Sequence, residues 1–132
     1  MKSPNWFAVI TVVLVLGAGF LYIRNHTSST PLVNTASAAN VTIVDGQQII
    51  TINAKGGYSP TSTTAQAGLP TTLRIATNST YDCSSAMRIP SLGVSKSLPP
   101  SGTTDISLGT PAAGTINGTC SMGMYNFNLA FK

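Results

Sequence analysis

The chain has 132 residues, of which 42% are hydrophobic and 8% are charged, and its formal net charge is +4. This length leaves room for one folded domain of about 90 to 100 residues besides a short terminal segment, and it excludes a second core. The basic residues are scattered along the sequence without a cluster, so we expect no nucleic-acid partner.

The first 24 residues predict a membrane anchor. Residues 6–23 contain no charged side chain, and a helix of this length would span roughly 27 Å of hydrocarbon. Lys2 and Arg24 flank the apolar run. Residues 1–24 are therefore interpreted as a single-pass anchor in the cell membrane, with residues 6–23 in contact with lipid.

A secretory signal peptide is the alternative for this segment. The sequence Ala36-Ser37-Ala38 resembles a cleavage site, but it lies far beyond an apolar run that is itself long for a signal peptide, which favours a retained anchor. The flanking charges nearly balance, and the small remaining bias places the following domain on the extracytoplasmic side. Residues 25–40 are small and polar without periodicity and predict a flexible linker, so the folded domain is expected to cover residues 41–132.

The pattern after this linker predicts about seven short strands and no helix. The clearest is the last, because every second residue from Tyr125 to Phe131 is apolar. Residues 78–100 contain three prolines and predict an irregular stretch. We therefore expect an all-β fold, an antiparallel β-sandwich with Greek-key connections, after one N-terminal transmembrane helix. The predicted strands cover residues 41–44, 48–54, 61–67, 71–77, 103–108, 114–119 and 125–132.

Four sulfur-bearing side chains form a candidate metal site. Cys83 lies in the irregular stretch, and Cys120, Met122 and Met124 precede the last strand. Thiolates and thioethers suit Cu(I), whereas zinc sites generally need four Cys or His ligands and calcium needs oxygen. The one histidine, His26, lies in the linker. In an extended segment the last three sulfur side chains would face the same way, whereas a turn between the methionines would fold them around one ion.

Simpler structural roles compete with this interpretation. Cys83 and Cys120 could form a disulfide in an exported domain, worth about 4 kcal/mol in the chain-entropy picture. Met122 and Met124 could be gap-filling core residues, and Met87 is interpreted as a core residue.

Five motifs in order resemble the single-domain cupredoxin-like family. They are GGYSP at residues 56–60, GLP at 68–70, Cys83, LPP at 98–100 and CSMGM at 120–124. Most are weak turn signals by themselves, and their order before a terminal strand carries the resemblance. It covers nearly the whole predicted domain and implies a cupredoxin-like fold.

The resemblance also implies the site chemistry. In blue-copper members the loop position carries a histidine and the C-terminal cluster carries Cys, His and Met, but here Cys83 stands at the loop position and the domain has no histidine. The all-sulfur set is similar to the membrane-anchored Cu(I) chaperones of the family. By this resemblance Cys83 and Cys120 form the tighter site, Met122 and Met124 complete it or form a weaker neighbour, and the cofactor is one or two Cu(I) ions.

These expectations describe a copper-binding protein. We expect a Cu(I) chaperone or sequestration protein for copper resistance, with a monomeric domain, that passes its ion to a copper-transporting exporter ATPase or another copper protein. The alternative is a metal-free extracytoplasmic module with a Cys83–Cys120 disulfide. Electron transfer through a blue-copper centre is disfavoured because the domain has no histidine. An enzyme is not expected, because no Ser/His/Asp or Cys/His set can be assembled in the domain.

Overall fold

The strands of the folded domain form two sheets packed as a sandwich, as the sequence predicted. The computed structural model describes residues 38–132. No α-helix occurs within these residues, and single 3₁₀ turns cover Cys83–Ser85 and Pro90–Leu92. The strands are β1 (Val41–Val44), β2 (Gln47–Ala54), β3 (Tyr58–Ser59), β4 (Ser62–Ala65), β5 (Thr71–Thr77), β6 (Ala86–Ile89), β7 (Val94–Ser97), β8 (Gly102–Gly109), β9 (Gly114–Cys120) and β10 (Asn126–Phe131).

The two sheets contain both antiparallel and parallel neighbours. One sheet has the order β1-β2-β5-β8 with β3 also paired to β2, and the other has the order β4-β10-β9-β6-β7. The pairs β2–β5 and β10–β4 are parallel, so the expectation of a wholly antiparallel sandwich is wrong there. The chain passes from β2 to β4 in the opposite sheet before it returns to β5, so β2 and β5 run in the same direction. Apolar alternation identifies the buried face of a strand but not the direction of its neighbour.

Alternating side chains fill the space between the sheets. In β10 Phe127, Leu129 and Phe131 are at most 2% exposed, whereas Asn126 and Asn128 are exposed, which confirms the predicted faces of this strand. The same alternation in β2 and β5 directs every second side chain inward. The largest fully buried apolar side chains are Ile50, Ile52, Leu73, Ile75, Met87, Ile89, Phe127 and Leu129.

Gly118 allows β9 and β10 to pack closely around an aromatic ring. It is the register partner of Phe127, and a Cβ atom built on Gly118 would overlap that ring. The ring of Phe127 meets the ring of Tyr58 edge to face, with centroids 5.0 Å apart and planes at 70°. A glycine is therefore required here for space and not for backbone conformation.

A hairpin lies within the stretch that was predicted to be irregular. Strands β6 and β7 pair antiparallel, and Gly93 ends the connecting turn with a φ of 63°. Met87 and Ile89 are fully buried, which gives β6 the alternation of a half-buried strand. The prediction for residues 86–97 is therefore wrong, because four-residue strands around a proline turn carry too short a pattern to stand out.

The N-terminal predictions lie largely outside the described residues. This applies to the membrane helix at residues 6–23 and to most of the linker at 25–40. From residue 38 onward no helix is long and apolar enough to cross a membrane. The Asn40 side-chain amide donates to the Thr51 carbonyl and to the Thr63 hydroxyl, both at 2.9 Å, and so connects β2 in one sheet to β4 in the other.

Candidate metal centre

Cys120 is the last residue of β9 and begins a tight loop to β10. Its N–H donates to the Tyr125 carbonyl at 2.9 Å, and its carbonyl accepts from the Gly123 N–H at 2.9 Å. Gly123 has a φ of 72°, which favours glycine. The next N–H, of Ser121, donates to the Ala86 carbonyl in β6 at 2.7 Å. These bonds fix the backbone of Cys120, whose side chain is buried with 1% exposure.

An aspartate, Asp82, holds the 3₁₀ turn that begins at Cys83. Asp82 is the N-cap of this turn. One Asp82 carboxylate oxygen accepts from the Ser84 N–H at 2.8 Å and from the Ser84 hydroxyl, while the other accepts from the Gly56 N–H at 2.8 Å. The hydroxyl of Ser84 and the N–H groups of Gly56 and Ser84 hold the pKa of Asp82 below the usual carboxyl value. The carboxylate therefore connects the Cys83 turn to the turn between β2 and β3.

A tyrosine supports the same turn from the core. The Tyr58 hydroxyl donates to the Ser84 carbonyl at 3.3 Å. Burial, and secondarily the charge of Asp82, raises the pKa of Tyr58 to about 12, so the phenol stays neutral and remains a donor. Just before this turn, the Thr80 hydroxyl donates to the Ala54 carbonyl in β2.

The two cysteines meet. Cys83 and Cys120 are 37 positions apart in sequence, but their Cα atoms are 5.7 Å apart and their sulfur atoms are joined as a disulfide. Pairing of β6 with β9 brings this about, because it places Met87 opposite Cys120, four residues after Cys83. A metal site that uses both cysteines needs their sulfur atoms to lie close together, and this arrangement meets that requirement.

The methionines of the loop are exposed. Met122 is 71% exposed and Met124 is 62% exposed, so the alternative that they fill gaps in the core does not hold. They flank Gly123 in a turn, so the segment that carries the methionines is not extended. Met87 is fully buried, as expected for a core residue.

The donor set at this end of the sandwich is soft. Within residues 38–132 no group of three or more His, Cys, Asp or Glu side chains is placed to hold a metal ion. In the reduced state, the arrangement offers two thiols on fixed backbone and two thioethers within four residues of Cys120. Such donors fit Cu(I) better than Zn(II), Ca(II) or Cu(II).

Asp82, Tyr58 and Thr80 are supporting residues that the sequence analysis did not identify. For Asp82 a signal was present, because aspartate is among the residues preferred at the N-cap of a helical turn. Tyr58 and Thr80 act through contacts to residues 26 positions away, which no local pattern reports.

One protein-family model matches the chain over most of its length. It is the model of the cupredoxin-like domain, and it matches residues 14–129. The chain therefore belongs to the cupredoxin-like domain family, as the motif order suggested. No curated protein matches the sequence significantly.

Solved structures of similar fold include three copper proteins. The metal-binding domain of the Cu(I)-exporting P-type ATPase CopA from Streptococcus pneumoniae is 20% identical with a TM-score of 0.64, over 70% of this chain and 92% of that chain. A copper-binding protein solved in its apo form is 21% identical with a TM-score of 0.65, over 74% and 99%. Auracyanin A, a blue copper protein from Chloroflexus aurantiacus, is 21% identical with a TM-score of 0.50, over 66% and 100%. At these identities the likeness establishes a common fold.

Proposed function

We propose that this chain binds Cu(I) through Cys83, Cys120, Met122 and Met124. The observation that carries the proposal is the meeting of the two cysteines, from strand-bounded segments far apart in sequence, beside a loop with two exposed methionines. The exposed side chains of Met122 and Met124 contribute little to core packing. Binding a metal ion would explain why these two residues are methionines. Family membership and copper-binding neighbours of the same fold support the choice of metal.

The donor set favours storage and transfer over electron transfer. A centre that alternates between Cu(I) and Cu(II) uses imidazole ligands, and the sequence places its one histidine at position 26, before the described domain. Two thiolates and two thioethers strongly prefer Cu(I). We infer that the ion keeps its oxidation state while it is held.

We further propose that the protein is a membrane-anchored copper chaperone or sequestration protein. Residues 6–23 would hold it at the cell membrane, and exposed Met122 and Met124 would let an incoming thiolate approach before the old ligands leave. The acceptor would be a copper-exporting ATPase or another copper protein. The proposed role is that of the membrane-anchored Cu(I) chaperone CupA, which the sequence motifs described above resemble. It implies one or two ions per chain. Nothing in the proposal requires enzymatic activity.

Anaerobic titration tests the proposal. The full chain, reduced and purified in detergent, is titrated with Cu(I) against a competing chelator. We expect one or two ions per chain, and we expect Cys83→Ser to weaken binding by more than about 100-fold, since outer-shell changes alone cost roughly 10- to 100-fold. Met122→Ala should have a smaller effect. Met87→Leu removes a buried thioether of similar volume and should change nothing. Equal binding by wild type and Cys83→Ser would contradict the assignment.

The disulfide between Cys83 and Cys120 favours a second candidate function. A metal-free extracytoplasmic module would use the Cys83–Cys120 disulfide for stability alone. Mass measurement of protein isolated without reductant separates the two functions, when combined with the titration above. A mass two hydrogens below the reduced chain, together with no Cu(I) uptake after reduction, would favour the module.

A further inference from the structure

The two cysteines that the proposed copper site requires are also placed to form a disulfide. Cys120 is held by the hydrogen bonds that close the β9–β10 loop, and Cys83 is held by the Asp82 cap. A Cα separation of 5.7 Å is within the range that disulfides need. Neither hydrogen-bond set involves the S–S bond, so both backbone positions should persist when the bond is reduced.

The two cysteine residues differ in their exposure to solvent. Cys83 is half-buried at the start of its 3₁₀ turn, whereas Cys120 is buried with 1% exposure. The Tyr125 N–H donates to the Cys120 sulfur at 3.4 Å. An external reagent can therefore reach Cys83 more easily, and a thiolate that forms at Cys120 receives a hydrogen bond.

We propose that Cys83 and Cys120 form a reversible thiol–disulfide pair that exchanges with low-molecular-weight disulfides, with Cys83 as the reacting sulfur and Cys120 as the resolving sulfur. Because Cys83 and Cys120 are also the proposed Cu(I) ligands, their oxidation releases the ion. Release of the ion rests on the function proposed above, whereas the thiol–disulfide exchange does not.

The exchange is balanced in two steps. The Cys83 thiolate attacks one sulfur of a small disulfide RSSR, which forms a Cys83–S–S–R bond, breaks the S–S bond of RSSR and releases RS⁻. The Cys120 thiolate then attacks the Cys83 sulfur, which forms the internal disulfide and releases a second RS⁻. The cysteines lose two electrons and RSSR gains them. A bound Cu(I) ion would take no part in this electron transfer, and the two released RS⁻ groups would be available to receive it, while Met122 and Met124 are unchanged.

Oxidised glutathione added to the reduced, metal-free full chain in detergent tests the exchange. Wild type should lose two hydrogens and retain no adduct. Cys120→Ser should accumulate a glutathione adduct at Cys83, and Cys83→Ser should form its adduct at least about tenfold more slowly. Both variants lack the disulfide, so each controls for the stability of the other. In urea, which exposes both thiols, the rates should become equal.

Several results would overturn this inference. They are equal adduct rates in the folded variants, a rate difference that persists in urea, or wild type that stops at the mixed disulfide.

Copper binding is measured separately, on reduced and oxidised wild type. Oxidation should lower Cu(I) affinity by more than about 100-fold, at least as much as Cys83→Ser, since both thiolates are lost, and unchanged affinity would refute release. If the reduced chain binds no Cu(I), the proposed function fails, while the adduct rates still decide the exchange.

Discussion

Reduction of the Cys83–Cys120 bond should lower the unfolding free energy of the metal-free domain by about 4 kcal/mol. The bond joins residues 37 positions apart. In the chain-entropy relation a loop of this length removes about 13 cal/mol/K from the unfolded chain, which is about 3.8 kcal/mol at 25 °C. Backbone hydrogen bonds hold both cysteines in the folded state, so the effect falls mainly on the unfolded chain.

Urea unfolding followed by circular dichroism measures this loss. With a slope of about 1 to 2 kcal/mol/M, reductant should lower the midpoint of wild type by about 2 to 4 M. The double variant Cys83→Ser/Cys120→Ser should resemble reduced wild type and should not respond to reductant. A wild-type midpoint that reductant leaves in place would refute the loop-closure reasoning.

Further substitutions test the packing, the turn cap and the loop. Gly118→Ala should cost about 1 to 3 kcal/mol of unfolding free energy in urea titrations, because its Cβ overlaps Phe127, and adding Phe127→Leu should recover part of that loss. Asp82→Ala should cost about 1 kcal/mol near neutral pH. Because folding lowers the pKa of Asp82, its stabilisation is present above the ordinary carboxyl pKa and is lost as pH falls through the lowered value; midpoints that differ equally at all pH values would contradict this. Met122→Ala and Met124→Ala should each change the unfolding free energy by less than about 0.5 kcal/mol, since both side chains are exposed, yet weaken Cu(I) binding in the chelator competition.

The sequence predicts the strands that carry a long alternation. Residues 71–77 form β5 with the predicted bounds, and the alternation from Phe127 to Phe131 sets the buried face of β10. The β6–β7 hairpin was missed because Met87 and Ile89 give it only two buried positions around a proline turn. Long patterns average over local exceptions, and short ones do not.

The site was predictable in composition but not in geometry. Sulfur chemistry and motif order pointed to the same four residues, yet only the β6–β9 pairing brings Cys83 to Cys120. Exposure of the methionines was also open, because Met occurs in cores and on surfaces. The contribution of Asp82 depends on the Gly56 N–H, which lies 26 positions away. Long-range contacts of this kind leave no periodic trace in sequence.

The hydrogen bond from the Cys120 N–H to the Tyr125 carbonyl separates the loop that contains Met122 and Met124 from the two sheets. Residues 121–124 hang outside this closure, and the four side-chain positions contribute little to the interior. At the proposed ligand positions Met122 and Met124, both exposed, an imidazole or carboxylate would change the ion preference of the proposed site with little effect on folding. The two methionines of the proposed site can therefore be replaced without disturbing either sheet, which makes this loop a natural starting point for engineering.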